Sequence, residues 1–140
     1  MTLGHGTNTG TATVNALPTG VTVTLNDPLL DGVTLDTDAG ASLTVDAEAV
    51  MATSLTIGDA ASVTINGEGA AANLTSTVLD ATDTTSLTIT ADGGTSLDTG
   101  AITGTDKLET ITVTTSVASG TITTGGGAVS YTHLTLPTKA

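Results

Sequence analysis

The side chains able to do chemistry in this chain are almost all carboxylates. It carries 14 Asp and Glu against two Lys, no Arg, two His and no Cys. Without Cys there is no thiolate nucleophile, no disulfide and no thiolate metal site. His5 stands alone in a glycine-rich leader and His133 lies in a terminal stretch of different composition, so a Ser-His-Asp set lacks its base. Asp36/Asp38 and Asp80/Asp83 are paired acids of the kind glycoside hydrolysis uses. They sit beside strand ends, however, where a solvated turn aspartate is the ordinary role. The chain is therefore expected not to be an enzyme. Hard oxygen ligands gathered in turns suit Ca²⁺ better, and Asp36, Asp38, Asp80, Asp83, Asp92 and Asp98 are the candidate calcium ligands.

The elements that must hold these acids are strands. Thr is the commonest residue, at 35 of 140, and it favours a pleated, half-buried surface, as Val and Ile do. One short phrase recurs: SLTV at Ser42–Val45, SLTI at Ser54–Ile57, SVTI at Ser62–Ile65 and SLTI at Ser86–Ile89. Each alternates polar and apolar residues, the two-residue period of a strand with one buried face. Looser copies are Val33–Leu35, Asn73–Val78, Ser96–Thr99 and Leu108–Val113. Turn residues bound the copies: Asp46, Gly58-Asp59, Asn66-Gly67 and Asp92-Gly93. A short helical turn over Asp46–Ala52 would interrupt the strands, although a loop suits that segment better.

The spacing of the phrases predicts how the strands are arranged. One series runs Val33, Leu55, Leu74, Leu97, Val117, in steps of 22, 19, 23 and 20. The other runs Leu43, Val63, Leu87, Leu108, in steps of 20, 24 and 21. Two interleaved series with steps of about 21 residues are what a solenoid leaves in its sequence. The predicted fold is therefore all-β, a parallel β-solenoid (β-helix) with turns of about 21 residues, each contributing at least two strands. Its inward ladder would contain Leu43, Val45, Leu55, Ile57, Val63, Ile65, Leu87, Ile89, Ile111 and Val113. Thr44, Thr56, Thr64 and Thr88 would point outward in rows. An antiparallel β-sandwich is the alternative, because short strands every 8 to 12 residues also predict it. With no Trp or Phe and a single Tyr, the core must be built from small branched side chains, which suits a narrow interior.

Composition limits the partners. A net charge of -12 with no basic face argues against nucleic acid. No apolar run approaches the about 18 residues of a membrane span, so no membrane insertion is expected. Asn73-Leu74-Thr75 fits a glycosylation pattern by coincidence within a strand, and Gly125-Gly126-Gly127 reads as a linker or turn. The chain divides into a flexible or capping segment (1–20), a β-repeat solenoid (21–124) and a Gly-rich linker with a tail (125–140).

Three resemblances add to this reading. Gly93-Gly94-Thr95-Ser96-Leu97-Asp98 resembles one copy of the calcium-binding nonapeptide of repeats-in-toxin proteins, with Ser96 in place of its third glycine and Gly100 where an apolar residue belongs. The tail, SYTHLTLPTKA over Ser130–Ala140, resembles translated sequencing-adapter read-through, which implies that the native protein continues past about Val129. The body from Val21 to Thr124 resembles the repeat regions of bacterial surface-layer and related type I-secreted surface proteins. The SLT[IV] phrases, the Asp/Gly turns and the stretch Gly104–Val113 carry that likeness. It implies export through a C-terminal signal, an extracellular location at the cell surface, ordering by calcium, and self-association or contact with neighbouring repeats. The expected function is thus a structural segment of such a surface layer. A stalk or binding region of a secreted or phage-encoded adhesin, contacting a surface glycan, is the alternative.

Overall fold

A computed structural model describes residues 1–3, 10–26, 30–48, 53–67, 72–91, 97–115, 123–124 and 130–135. The alternating phrases form strands, in order β1 (Thr2–Leu3), β2 (Gly10–Leu17), β3 (Val21–Leu25), β4 (Leu30–Ala47), β5 (Thr53–Gly67) and β6 (Ala72–Val78). The second half of the chain adds β7 (Ser86–Ala91), β8 (Leu97–Asp98), β9 (Ala101–Thr103), β10 (Thr110–Thr115), β11 (Thr123–Thr124) and β12 (Ser130–Thr135). Every pairing among them is parallel. There is no helix among the described residues.

All pairings except that of β6 with β8 sort into two stacks. The first runs β1, β3, the second half of β4, the second half of β5, β7, β10, β12. The second runs β2, the first half of β4, the first half of β5, β6, β9, β11. Strands β4 and β5 belong to both because each turns a corner without ending, and their mutual register shifts between Asp36 and Ser42. The result is a parallel β-solenoid of about four turns, with partners about 22 residues apart. Parallel pairing excludes the sandwich.

The core is the inward ladder. Leu43, Val63, Leu87 and Ile111 are register partners in the first stack, and Val45, Ile65, Ile89 and Val113 follow one step along. All but Val113 are buried, and Val113 packs partly covered against the cluster. Each fully buried aliphatic side chain is worth about 1.5–3 kcal/mol of transfer free energy. That supplies an interior without rings.

Three expected register positions are corrected. Leu108 does not stack on Leu87; Ile111 does. Leu108 is buried instead in the corner turn before β10, where its N–H donates to the Thr105 carbonyl at 3.1 Å. In the second stack Leu55 is followed by Thr77 and Ile102, not by Leu74 and Leu97. Leu74 lies opposite Thr53, and Leu97 opposite Ala72. Thr77 can occupy an aliphatic rung because its hydroxyl donates to the Thr99 carbonyl at 3.0 Å, which satisfies the buried group.

Other corner threonines use the same device between turns. Thr84 donates to the Ala60 carbonyl at 2.7 Å, and Thr37 to the Gly58 carbonyl at 3.2 Å. These bonds tie the corners of adjacent turns where the strand ladder is interrupted.

Strand β2 brings part of the segment 1–20 into the second stack, with Ala12 and Val14 against the core. The backbone of Ser130–Thr135 pairs with β10, with a register shift between Ile111 and Val113. Asp46 and Ala47 close β4, while residues 49–52 of the expected helical turn lie outside the described residues.

Candidate functional site

Stacking at about 22 residues brings together acids that are far apart in sequence. Asp36 ends the first limb of β4 opposite Gly58. Asp59 follows at the same corner one turn on, in a left-handed backbone conformation with φ 59°. The loop Asp80–Thr84 lies a further turn along, placed by the Leu79 N–H donating to the Thr103 carbonyl and the Thr84 N–H to the Asp80 carbonyl. Gly58 leaves room for the Asp36 carboxylate, since a Cβ there would lie 2.6 Å from Asp36 Oδ1.

The electrostatics show the crowding. Partial burial, then repulsion from Asp36, Asp80 and Asp83, raises the Asp59 carboxyl above the usual aspartate range. Asp80 is held below that range because the Thr82 hydroxyl and Thr82 N–H both donate to its Oδ1, at 2.6 and 2.7 Å. Asp36, Asp80 and Asp83 were expected as site residues, whereas Asp59 was missed. Its signal was the period itself, because Asp36 advanced by one and two turns arrives at the Gly58-Asp59 and Asp80 corners.

The remaining candidate ligands are Asp38, Asp98 and Asp92. Asp38 is exposed, and its backbone carbonyl accepts from the Thr37 hydroxyl at 3.1 Å. Asp98 is placed through its backbone, in β8 beside Asn73 of β6. Asp92 and the segment 93–96 of the nonapeptide-like stretch lie outside the described residues. Among the described residues, no three His, Asp or Glu side chains converge closely enough to hold a metal ion.

The repulsion at Asp59 gives a pH-dependent prediction. A carboxyl whose folded pKa is raised lowers stability as pH rises through that pKa, and the loss is absent below the ordinary value of about 3.9. Asp59→Asn should therefore melt higher than the parent at pH 7, and the gain should vanish near pH 3. Asparagine also tolerates the left-handed backbone. Asp80 has the opposite sign: its bonds to Thr82 stabilise at neutral pH and are lost as pH falls through its lowered pKa. Thermal melts at the two pH values check this, and a lower melting temperature for Asp59→Asn at pH 7 would contradict it.

The second surface feature is the outer side of the first stack. Its middle column is Thr22, Thr44, Thr64, Thr88 and Thr112, partners in register. On one side stand Ser42, Ser62, Ser86 and Thr110, and on the other Thr24, Asp46, Asn66, Thr90 and Thr114. Asp46 is the one charged residue in these columns, and Asn66 Nδ2 donates to its Oδ1 at 2.8 Å. The equivalent column of the second stack reads Thr13, Thr34, Thr56, Val78 and Thr103, broken by the exposed Val78.

These features define a parallel β-solenoid with one hydroxyl-rich face that carries a single charge and one acidic corner. Comparison of the chain with protein-family models, with curated proteins and with solved structures gave no match.

Proposed function

We propose that the chain is a structural segment of an extracellular β-repeat protein of the surface-layer kind, working at the cell surface by stacking and self-association. The observation that carries this reading is the edge of the first turn. Among the described residues β2 pairs with β4 on one side only, and its other edge offers a row of backbone donors and acceptors. Ala12 and Val14 bring the aliphatic ladder to that edge while only partly covered. A further turn of the same period, from a neighbouring repeat or a second copy, would complete both the hydrogen bonds and the core.

Analytical ultracentrifugation over a concentration series, with electron microscopy, tests the proposal. The expected result is end-to-end growth into rods. Successive amides of a strand point to opposite edges, so one of Ala12→Pro and Thr13→Pro removes an outward donor without touching the β4 pairing. The variant that keeps the native circular dichroism should stop growth. A chain that stays monomeric throughout would overturn the reading.

A further inference from the structure

From the three hydroxyl-rich columns on the outer side of the first stack, we infer that this face binds the surface of crystalline water. The inference is independent of the assembly proposed above, which uses strand edges rather than this face.

The columns make a two-dimensional array. Rows repeat about every 4.8 Å along the rod, and side chains on one face of a strand repeat about every 6.7 Å. In tetrahedrally bonded water an O–H···O link is about 2.75 Å, so second-neighbour oxygens repeat every about 4.5 Å. The mismatch is about 0.3 Å per row, and over the five rows from Thr22 to Thr112 it accumulates to about 1.2 Å. Rotation of side chains and hydroxyls absorbs an offset of that size. The chemistry also fits. A Ser or Thr hydroxyl donates one hydrogen bond and accepts two, as lattice water requires of a neighbour.

Charge and area argue against other occupants. The chain carries -12, yet Asp46 is the one charge in this array, and its Oδ1 is already bonded by Asn66. A face with a single charge has little to offer an ionic mineral. It also carries no aromatic ring among the described residues on which a sugar could stack. A second copy would cover about 450 Å² of each face, about 900 Å² in all, which falls short of the about 1,200 Å² of stable interfaces. An extended neutral lattice is the remaining partner that gains from every row.

Nanolitre osmometry and microscopy of single ice crystals, with the full chain, test this. The expected result is faceted crystals and a gap between melting and freezing points. Thr64→Tyr, in the centre of the array, should abolish both. Thr56→Tyr, on the second stack, should leave both intact, with circular dichroism showing that each variant is folded. If Thr64→Tyr does not fold, Thr64→Ser removes only the methyl and should shrink the gap. Three results would overturn the inference: round crystals with no gap from the folded chain, equal loss in the Thr56 and Thr64 variants, or a dimer that Thr64→Tyr breaks, which would assign the face to a second copy.

Discussion

Gly104→Ala should be the most damaging single substitution outside the aliphatic ladder, costing about 3 kcal/mol or more. Two independent effects add. Gly104 has φ 74°, a left-handed conformation that costs an L-residue about 1–2 kcal/mol. A Cβ at Gly104 would also overlap the Leu79 carbonyl of the preceding turn. That obstacle is backbone and cannot rotate aside. It is also fixed in place, because the Leu79 N–H donates to the Thr103 carbonyl at 2.9 Å, next to the glycine. Either that inter-turn bond breaks or the corner moves. Gly40 separates the two effects: its φ is 76°, but a Cβ there meets nothing within 4 Å. Gly40→Ala should therefore lose only the conformational part, about 1–2 kcal/mol. Urea denaturation of both variants provides the comparison, and equal losses would show that the close approach of the turns is absent.

Leu87→Ala should cost about 2–5 kcal/mol, a large share of the 5–15 kcal/mol typical of a domain. Leu87 is fully buried, with Val63 and Ile111 as its register partners on either side. Truncation removes its own transfer energy and leaves a cavity lined by a ladder that cannot collapse, since the backbone spacing is set by the hydrogen bonds of adjacent turns. Val113, at the partly covered end of the ladder, should lose clearly less on truncation to Ala. A loss below about 1 kcal/mol at Leu87 would mean the ladder is not close-packed.

The first stack was legible in the sequence because its phrases are intact. Ser42–Val45, Ser62–Ile65 and Ser86–Ile89 each place two aliphatic residues two apart, and these are register partners. The series failed at Leu108 because the corner after β9 carries a buried leucine of its own. The phrase aligned by its first apolar residue was thus three positions early. The second stack was harder to read, since its rungs include Thr77, which reads as polar until its bond to the Thr99 carbonyl is known. Leu74 and Leu97 were the nearest apolar residues and took its place. Strand β2 was missed as part of the stack because Thr11–Val14 contributes only Ala12 and Val14 to the core. The acidic corner depended on the register: Asp36, Asp80 and Asp83 were picked as turn acids, but their shared neighbour Asp59 needs the turn-to-turn alignment to be seen.

The central claim is that turns stack in parallel with partners about 22 residues apart. Since the chain has no Cys, paired cysteines report it cleanly. Thr44 and Thr64 are register partners in β4 and β5, and parallel neighbours about 4.8 Å apart fall within the range a disulfide spans. Mass spectrometry after mild oxidation of the double variant Thr44→Cys/Thr64→Cys should show the bond formed in the folded chain and slow to form in urea. A folded chain in which this pair stays reduced, while Thr56→Cys/Thr64→Cys closes as an antiparallel hairpin with one apolar face requires, would contradict the solenoid.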